Sequence, residues 1–316
     1  MSCYSHLTIK ERESLMLFRE KGKSIREIAR ELGRAPSTIS RELRRNEEVY
    51  RASTAQMRYH EVRRRCRRHR ILQTRELHTL VYFLLSRLYW SPEQISHRLA
   101  LEGSWSISTS TIYRALETGE LQNTLRYYLR IKYKKLGKNK EPHKVCFQKS
   151  IDLRPVEASL RDEIGHWEGD TIRGSRETDS LVTLVDRKSR ITLSVKTPNK
   201  ESGTVREAVI KLLRHSRLPV KSITFDQGCE FTEGEAIERA LNTEVFFAHP
   251  HSPWERPTNE NTNGLIRQFV PKRSKVSSLS DSDVDAIVSK LNFRPRKCLG
   301  WKTPYEVAYD QLLHLT

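Results

Sequence analysis

Apolar residues recur at helical spacing through the first 46 residues of the chain. A first helix is predicted over residues 8–20. In the second helix, Ser24 caps the first turn with Glu27 as its reciprocal partner, and one apolar stripe follows. That stripe consists of Ile25, Ile28, Ala29 and Leu32. Gly33 then provides a turn, and a third helix is predicted from about Pro36, which gives the segment the order of a helix-turn-helix.

The outer face of this third helix carries residues that suit DNA recognition. Ile39 and Leu43 face inward, so hydroxyl and guanidinium groups remain outside. The outward residues are Ser37, Thr38, Ser40, Arg41, Arg44 and Arg45. Short hydroxyls near the start of a recognition helix meet base edges, and arginines further along meet phosphates. The alternative is a small helical bundle with a solvated basic face, and the net charge of the chain favours DNA binding.

A second and weaker copy of the same pattern follows downstream. Ser91 is a cap with Pro92 at the first helical position, and after Gly103 another helix can begin at Ser108. The inward residues of the two helices are Ile95, Leu99, Ile112 and Leu116. The outward residues of the second are Thr109, Ser110, Tyr113 and Arg114. We interpret this copy as a second DNA-reading unit; the alternative is that it packs on the first.

After residue 150 the pattern changes to strands alternating with helices. Three strands are predicted first, over 166–172, over 180–186 and around the alternating Ile191, Leu193 and Val195. A helix (201–215), a strand (222–226), a helix (233–241), a strand (245–248) and a final helix (259–269) follow. Three strands in a meander and then alternating elements are the order of a ribonuclease H-like fold. In that fold the first and fourth strands lie side by side at an acidic site.

Charge separates the two halves of the chain. Of the 316 residues, with a formal net charge of +18, residues 1–150 contain 32 Lys and Arg against 15 Asp and Glu. Residues 151–316 contain 25 against 24. Six arginines fall within residues 63–70, and residues 130–150 form a basic linker. A basic half joined to a neutral half predicts a polyanion-binding region attached to a second module, and nucleic acid is the expected partner.

Cysteine usage and hydropathy restrict the kinds of site and the cellular compartment that the sequence predicts. The five cysteines lie far apart and form no CxxC pair, so neither a disulfide framework nor structural zinc is predicted. Cys66 and His69 are the nearest approach to a metal half-site, and no second pair accompanies them. No apolar run approaches the ~20 residues of a spanning helix, and the start does not resemble a signal peptide. We therefore expect no membrane partner and a protein of the reducing cytoplasm.

Three carboxylates stand in distinctive settings within the neutral half. Asp170 lies in the sequence HWEGDTI and Asp226 in ITFDQG, each at a predicted strand. Glu260 lies in PTNENTNG at the start of a predicted helix, and 33 residues separate it from Asp226. A helix that brings a glutamate beside two strand aspartates can hold a pair of divalent cations for in-line phosphoryl transfer.

Longer motifs around these residues resemble the insertion sequence 30 family of bacterial transposases. The motifs are HWEGD, DQGCEF, SPWERPTNENTNGLIRQ and LNFRPRKCLGWKTPYE. The resemblance runs from about residue 5 to residue 308. The chain departs from the family pattern at Gln227 in place of Asn, at Pro257 in place of Gly, and at Arg273 in place of Gly. None of these departures removes a carboxylate, and Pro257 suits a helix start.

The resemblance implies a DDE transposase whose catalytic and metal-binding triad is Asp170, Asp226 and Glu260. It implies Mg²⁺ (or Mn²⁺), as two ions, and double-stranded DNA in the form of terminal inverted repeats and target DNA as the partner. Because two ends must be joined, a homo-oligomer of at least two chains is expected. Secondary candidates for the site are His166, Glu168, Asn263 and Arg267. Glu168 is interpreted as a solvated strand residue rather than an additional ligand. Trp254 either stacks on a base or sugar or belongs to the core.

These inferences predict a multidomain protein with all-α helix-turn-helix regions and an α/β ribonuclease H-like core. The predicted regions are residues 1–50 (helix-turn-helix), 51–129 (basic helical region with the second copy), 130–155 (linker) and 156–316 (catalytic domain). The competing functions are a DNA-binding repressor and a catalytically inactive transposase relative. A retroviral-type integrase would require a His/Cys zinc module that the sequence lacks, and a ribonuclease would hardly need a helix-turn-helix.

Overall fold

The computed structural model describes residues 5–45, 49–65, 71–122, 125, 129, 149–174, 178–250, 252–272 and 274–311. The chain divides into two compact units, Met1–Arg70 and Ile71–Thr316. Most of the predicted linker, part of the arginine run, Cys66, His69 and Arg273 lie outside the described residues. No helix in the described part of the chain combines the length and the apolar character that a membrane crossing requires.

The first unit is a helical domain built on the predicted helix-turn-helix. Its helices are α1 (Ile9–Glu20), α2 (Ile25–Glu31), α3 (Pro36–Leu43) and α4 (Ala52–Arg65). Ser24 and Glu27 form the predicted capping box, and Ile28, Ala29 and Ile39 are buried with Leu15. The predicted inner face of this motif is therefore confirmed.

A buried ion pair that the sequence pattern did not predict joins α1 to α3. The Nε atom of Arg12 donates to Oε1 of Glu42 at 2.7 Å, and both residues are almost fully buried. Arg12 also donates to the carbonyl oxygen of Leu7 at 2.6 Å, so the guanidinium is well satisfied. The outer face of α3 is left to the hydroxyls and to Arg41 and Arg44.

The second unit begins with three helices, and the last two of them form the second helix-turn-helix pattern. They are α5 (Arg75–Ser86), α6 (Pro92–Glu102) and α7 (Thr109–Thr118). Ser91 caps α6 through a capping box with Gln94, and Ser108 caps α7. The hydrophobic helix α5, which was not among the predicted elements, contributes Leu77, Val81, Leu84 and Leu85 to the core of this region.

The rest of the second unit is a five-stranded mixed sheet with helices on both faces. Its strands are β1 (His166–Arg173), β2 (Ser180–Asp186), β3 (Thr192–Thr197), β4 (Ser222–Phe225) and β5 (Glu244–Phe247). Its helices are α8 (Val156–Leu160), α9 (Ser202–Ser216), α10 (Gly234–Leu241), α11 (Pro257–Ile266), α12 (Asp281–Asn292) and α13 (Pro304–Tyr309). The strand order is β3-β2-β1-β4-β5, in which β1, β2 and β3 are antiparallel and β1, β4 and β5 are parallel. The core is therefore ribonuclease H-like, as predicted.

Two cores cover the two faces of the sheet. One face packs Trp167, Val182, Leu184 and Phe225 against α9 and α10. The other face packs Ile172 and Leu181 against α11 and α12. Because α12 covers β3, the polar residues that alternate along this strand, Thr192 and Ser194, are buried.

The second helix-turn-helix is fastened to the C-terminal segment of the same unit. Arg98 on α6 forms two hydrogen bonds with Glu306 on α13, at 2.8 and 2.7 Å, and both side chains are buried. The rings of His97 and Trp301 stack at 4.2 Å between centroids. The amide of Gln94 donates to the carbonyl oxygen of Pro295 at 2.9 Å. These contacts fix α6, and with it α7, against the segment that follows α12.

Candidate active site

The register of the sheet brings Asp170 and Asp226 together. Strands β1 and β4 are parallel, and their last paired residues are Glu168 and Thr224. Asp170 and Asp226 each lie two residues beyond that pair, so their side chains leave the two strands on the same face and at the same level. Asp170 still pairs on its other side with Thr183 of β2, whereas Asp226 follows the end of β4.

Several charged side chains lie close to Asp170 and Asp226. Burial raises the pKa of Asp170, and the nearby carboxylates of Asp226 and Glu230 raise it further, while Arg256 opposes them. The backbone N–H of Thr171 donates to Oδ1 of Asp170 at 2.8 Å and holds the carboxylate in place. Oδ1 of Asp226 accepts from the N–H of Gly228 at 3.2 Å. Two carboxylates in one place favour a cation between them.

Arg256 supplies a positive charge to this cluster. Its two terminal nitrogens donate to the carbonyl oxygen of Gly169 and to Oδ2 of Asp226, each at 3.0 Å. The guanidinium thus spans β1 and the end of β4 from the turn that precedes α11. The sequence pattern does not mark Arg256 as a site residue; its only signal is its place within the SPWER motif immediately before the helix.

Helix α11 is anchored over the aspartates through Asn263. Nδ2 of Asn263 donates to Oδ2 of Asp170 at 2.7 Å, and its Oδ1 accepts from the hydroxyl of Thr183 at 3.3 Å. Glu260 lies one turn earlier on the same side of α11, with an exposed carboxylate. Among the residues that the structure describes, no three His, Cys, Asp or Glu side chains converge closely enough to hold a metal ion.

The bounds of α11 differ from the prediction because Pro257 begins the helix. It occupies the first helical position, where the missing N–H costs nothing, and the helix ends at Ile266 rather than near residue 269. Arg267 is the C-terminal cap, and it donates to the backbone carbonyls of Arg173 at 2.8 Å and Val270 at 3.4 Å. It is directed toward the end of β1, and the charge of Asp170 acts on it electrostatically.

Glu230 is a further acidic residue of the site that the sequence analysis did not select. It is buried and forms an ion pair with Lys200, and its Oε1 accepts from the hydroxyl of Thr171 at 2.8 Å. Burial raises its pKa, but hydrogen bonds from Lys200 and others outweigh burial and lower the pKa overall. A Cβ at Gly228 would lie 2.6 Å from Glu230 and 3.0 Å from Asp226, so the glycine of the DQGCEF motif allows these carboxylates to approach.

The prediction that Glu168 is solvated is wrong. It is fully buried, accepts from Arg187 at 2.6 Å and from the backbone N–H of Asn259 at 2.8 Å. Helices pack on both faces of the central strand β1, so the first four residues of this strand, His166 to Gly169, are buried. Glu168 instead ties β1 to the first turn of α11, where the helix dipole favours a negative charge.

His166 is also buried and lies at the start of β1. Its Nδ1 atom contacts the hydroxyl of Ser222 at 2.7 Å, and its Nε2 atom contacts Glu163 at 3.0 Å. Trp254 is 71% exposed, which excludes the core alternative for this side chain. Its stacking on a base or sugar stays a prediction.

The predicted outward residues of both helix-turn-helix motifs are accessible to different degrees. On α3, Ser37, Arg41 and Arg44 are exposed, while Thr38, Ser40 and Arg45 are partly buried. Arg45 is ion-paired with Glu42 at 2.9 Å. On α7, Ser110, Tyr113 and Arg114 are exposed, and Thr109 is partly buried. The contact of these faces with DNA stays a prediction.

Comparison with known proteins gives this architecture its family. Residues 3–46 match the helix-turn-helix domain family. The transposase for insertion sequence element IS1086 of Cupriavidus metallidurans is 35% identical, over 99% of this chain and 97% of that one. The transposase InsI for insertion sequence element IS30A of Escherichia coli is 36% identical, over 96% of this chain and 83% of that one. The chain belongs to the IS30 family of transposases.

Among solved structures, the catalytic core domain of BIV integrase aligns with 46% of this transposase and 93% of its own chain. The alignment has 18% identity and a TM-score of 0.37.

Gly169 sets the position of Asp170 in this IS30-family chain. A Cβ at Gly169 would lie 2.1 and 2.5 Å from ring atoms of Phe225, which is buried and stacks on Phe231 at 4.2 Å. Since the ring cannot move aside, we expect Gly169→Ala to cost about 3 kcal/mol, near the upper end for overpacking. At roughly 2–4 °C per kcal/mol, the melting temperature falls by about 6–12 °C.

Gly203→Ala is the matched control for that substitution. The nearest atom to a Cβ at Gly203, Oε1 of Glu233, lies at 3.6 Å, and the residue is in the first turn of α9. This change should leave the melting temperature unchanged or slightly raised, because alanine is the better helix former. Equal melting temperatures for the two variants would show that the β1–β4 contact tolerates a methyl group.

Proposed function

We propose that the chain is a DDE-type DNA transposase that binds the terminal inverted repeats of an insertion element, cleaves its ends and joins them to target DNA. One observation carries the proposal. Asp170 and Asp226 occupy equivalent positions on two parallel strands, and Asn263 anchors to Asp170 the helix that bears Glu260. The family membership supports the same reaction class.

The chemistry of Asp170 and Asp226 fits a divalent metal site that Glu260 would complete. Carboxylate oxygens are the ligands that Mg²⁺ and Mn²⁺ prefer. Burial raises the pKa of Asp170, and the neighbouring carboxylates raise it further; these carboxylates, and the guanidinium held against Asp226, indicate a place where positive charge is favoured. When bound, two divalent ions supply charge stabilisation to the attacking and the leaving oxygens of a phosphodiester. We assign Asp170, Asp226 and Glu260 as the ligands.

The surrounding residues orient these ligands. Asn263 and the N–H of Thr171 fix one oxygen each of Asp170, and Arg256 and the N–H of Gly228 do the same for Asp226. Glu260 has no such support in the described part of the chain, and it is the member free to adjust as DNA and metal arrive. Lys200 and Thr171 hold Glu230 beside the site.

DNA recognition is assigned to the outward faces of α3 and α7. The contacts that join α6 to the C-terminal segment give α7 a fixed position on the unit that carries the aspartates. A terminal repeat bound on α7 would therefore meet the active site in a defined geometry. Because two ends are joined in the reaction, we propose that the active form contains at least two copies of the chain.

Removal of divalent metal tests the proposal against the repressor alternative. With a duplex that contains the element's end, the full chain should cleave in Mg²⁺ or Mn²⁺ and stop in excess EDTA. Binding of the same duplex in a gel-shift assay should persist in EDTA, because the helix-turn-helix contacts require no metal. Specific binding with no cleavage under any divalent metal would identify a repressor or an inactive relative.

A further inference from the structure

A second charged site lies on the opposite side of α11 from Asn263. It is a cavity of about 170 Å³, which far exceeds the roughly 10–15 Å³ that holds one water molecule. Its wall consists of Arg161, Arg190, Pro257, Thr258, Asn261, Thr262, Arg296 and Cys298. We call this the arginine pocket. At 100° per residue, its α11 members point away from the side that carries Glu260 and Asn263.

Among the described residues, the wall of the arginine pocket contains three guanidiniums and no carboxylate. Arg190 donates to the hydroxyl of Thr258 at 2.7 Å, and Arg296 donates to the carbonyl oxygen of Leu291 at 3.1 Å. These bonds orient the two side chains through neutral groups. The guanidinium of Arg161 forms no hydrogen bond or ion pair within the described part of the chain, although the residue is partly buried.

The arginines act on one another electrostatically. Burial lowers the pKa of Arg161, and the charges of Arg190 and Arg187 lower it further. The charge of Glu168 opposes this shift, but its oxygens are already engaged by Arg187 and by the N–H of Asn259. Like charges held together in a partly buried cavity favour an anionic ligand, which would relieve their repulsion.

We propose that the arginine pocket binds a backbone phosphate of DNA. Guanidinium forks match the oxygens of a phosphodiester, and Thr258 and Asn261 add neutral hydrogen-bonding groups to the same wall. The inference rests on the proposed function, since it takes DNA as the substrate. It adds a contact that carries no sequence information and that touches α11 directly. DNA bound in the pocket would hold α11, which carries Glu260. It would do so on the side of the helix opposite the aspartates.

The salt dependence of DNA binding tests the pocket. The full chain, Arg161→Gln, Arg190→Gln and the double variant would be titrated with duplex DNA in EDTA, so that no cleavage occurs. Because the pocket holds a single phosphate, complete loss of that contact in the double variant should reduce the slope of log K against log salt by about 1, and each single variant should show part of that reduction. The loss should be the same for a terminal-repeat duplex and an unrelated duplex. Arg239→Gln, an exposed arginine on α10, is the control of equal charge change.

Melting temperatures within about 2 °C of wild type would confirm that the variants are folded. Wild-type binding with unchanged slopes in the variants, or an equal change in Arg239→Gln, would overturn the pocket and leave the proposed function standing. If the wild-type chain bound no duplex at all, both would be overturned.

Cys298 gives a second readout, because its thiol is free and exposed at the pocket wall. Its alkylation by iodoacetamide, followed by peptide mass spectrometry, should slow when duplex DNA is added and should not slow in the double variant. Inorganic phosphate at the same ionic strength should protect less than the duplex does. Protection by inorganic phosphate with none by duplex would show a site for free anions and overturn the DNA assignment.

Discussion

Replacing Asp170 with asparagine is expected to lower the rate of end cleavage by about 10³-fold or more. A bound metal contributes several kcal/mol to transition-state charge stabilisation, and about 4 kcal/mol corresponds to that factor. Asparagine keeps the shape and can still accept the hydrogen bond from Asn263, so the fold around the site should persist. The measurement is the single-turnover cleavage rate of an end-containing duplex in Mg²⁺, with the melting temperature and the affinity for the duplex determined in parallel.

Asp162→Asn is the matched control, because Asp162 is an exposed carboxylate of the same unit. It should cleave at the wild-type rate. A second comparison uses Glu260→Gln, which should show a loss of similar size with unchanged melting temperature, since that side chain is exposed and makes no supporting contact in the described part of the chain. Normal cleavage by Asp170→Asn would refute the assignment of the metal site. Normal cleavage by Glu260→Gln alone would remove only Glu260 from the proposed set of metal ligands.

The placement of the two aspartates could be anticipated from sequence because it depends on strand order. Once β1 and β4 are read as the neighbouring parallel strands of a ribonuclease H-like sheet, residues at equivalent distances along them must be adjacent. The strand bounds were predicted within about one or two residues, because alternation and flanking turns mark them. The helix that begins at Pro257 was displaced by two residues at its start, since TNEN gives no strong cap signal.

The roles of the charged residues around the aspartates could not be anticipated in the same way. Glu168 shares its side of β1 with Asp170, and periodicity alone cannot distinguish a ligand from a buried anchor. What decides is Arg187, 19 residues away, and the N–H of Asn259, 91 residues away. Arg256 and Glu230 likewise acquire their functions from chain segments that meet only in the folded state.

The packing of α12 over β3 was the other feature that the sequence pattern did not predict. The polar residues of β3, Thr192 and Ser194, are buried because α12 packs over them, and Asn292 forms hydrogen bonds with the backbone of Thr192 at 2.8 Å in both directions. A polar residue on a strand can be buried when a later helix supplies its partner. The same C-terminal segment then contacts the second helix-turn-helix, which lies in the same unit as the aspartates.

That connection makes Glu306 the residue whose loss should be most damaging to stability. It forms a bidentate pair with Arg98 and also accepts from the backbone N–H of Thr303 at 2.6 Å as part of a capping box. Burial opposes the charge of Arg98, but its hydrogen bonds with Glu306 and Glu102 outweigh burial and raise its pKa. Removal of one partner from a buried pair typically costs about 3–5 kcal/mol.

We therefore expect Glu306→Ala to lower the melting temperature by roughly 6–20 °C, at about 2–4 °C per kcal/mol. Lys297→Ala is the matched control, because Lys297 pairs with Glu93 across the same two segments at 3.1 Å but is 76% exposed. An exposed pair contributes at most about 1 kcal/mol, so this variant should melt within a few degrees of wild type. Similar melting temperatures for Glu306→Ala and Lys297→Ala would show that the buried pair does not hold the segments together.

A double variant distinguishes the stability contributed by the Arg98–Glu306 pair from the cost of leaving one buried charge without its partner. Arg98→Met combined with Glu306→Ala removes both charges and keeps an apolar side chain on α6, so part of the lost stability should return. The same proteins can be assayed for cleavage and for binding of the isolated duplex. If the Arg98–Glu306 pair positions α7 relative to the aspartates, the double variant should still bind the terminal repeat. Its cleavage rate should fall by more than the loss of stability, measured as melting temperature, explains. Wild-type cleavage by a stable double variant would assign the pair a purely structural role.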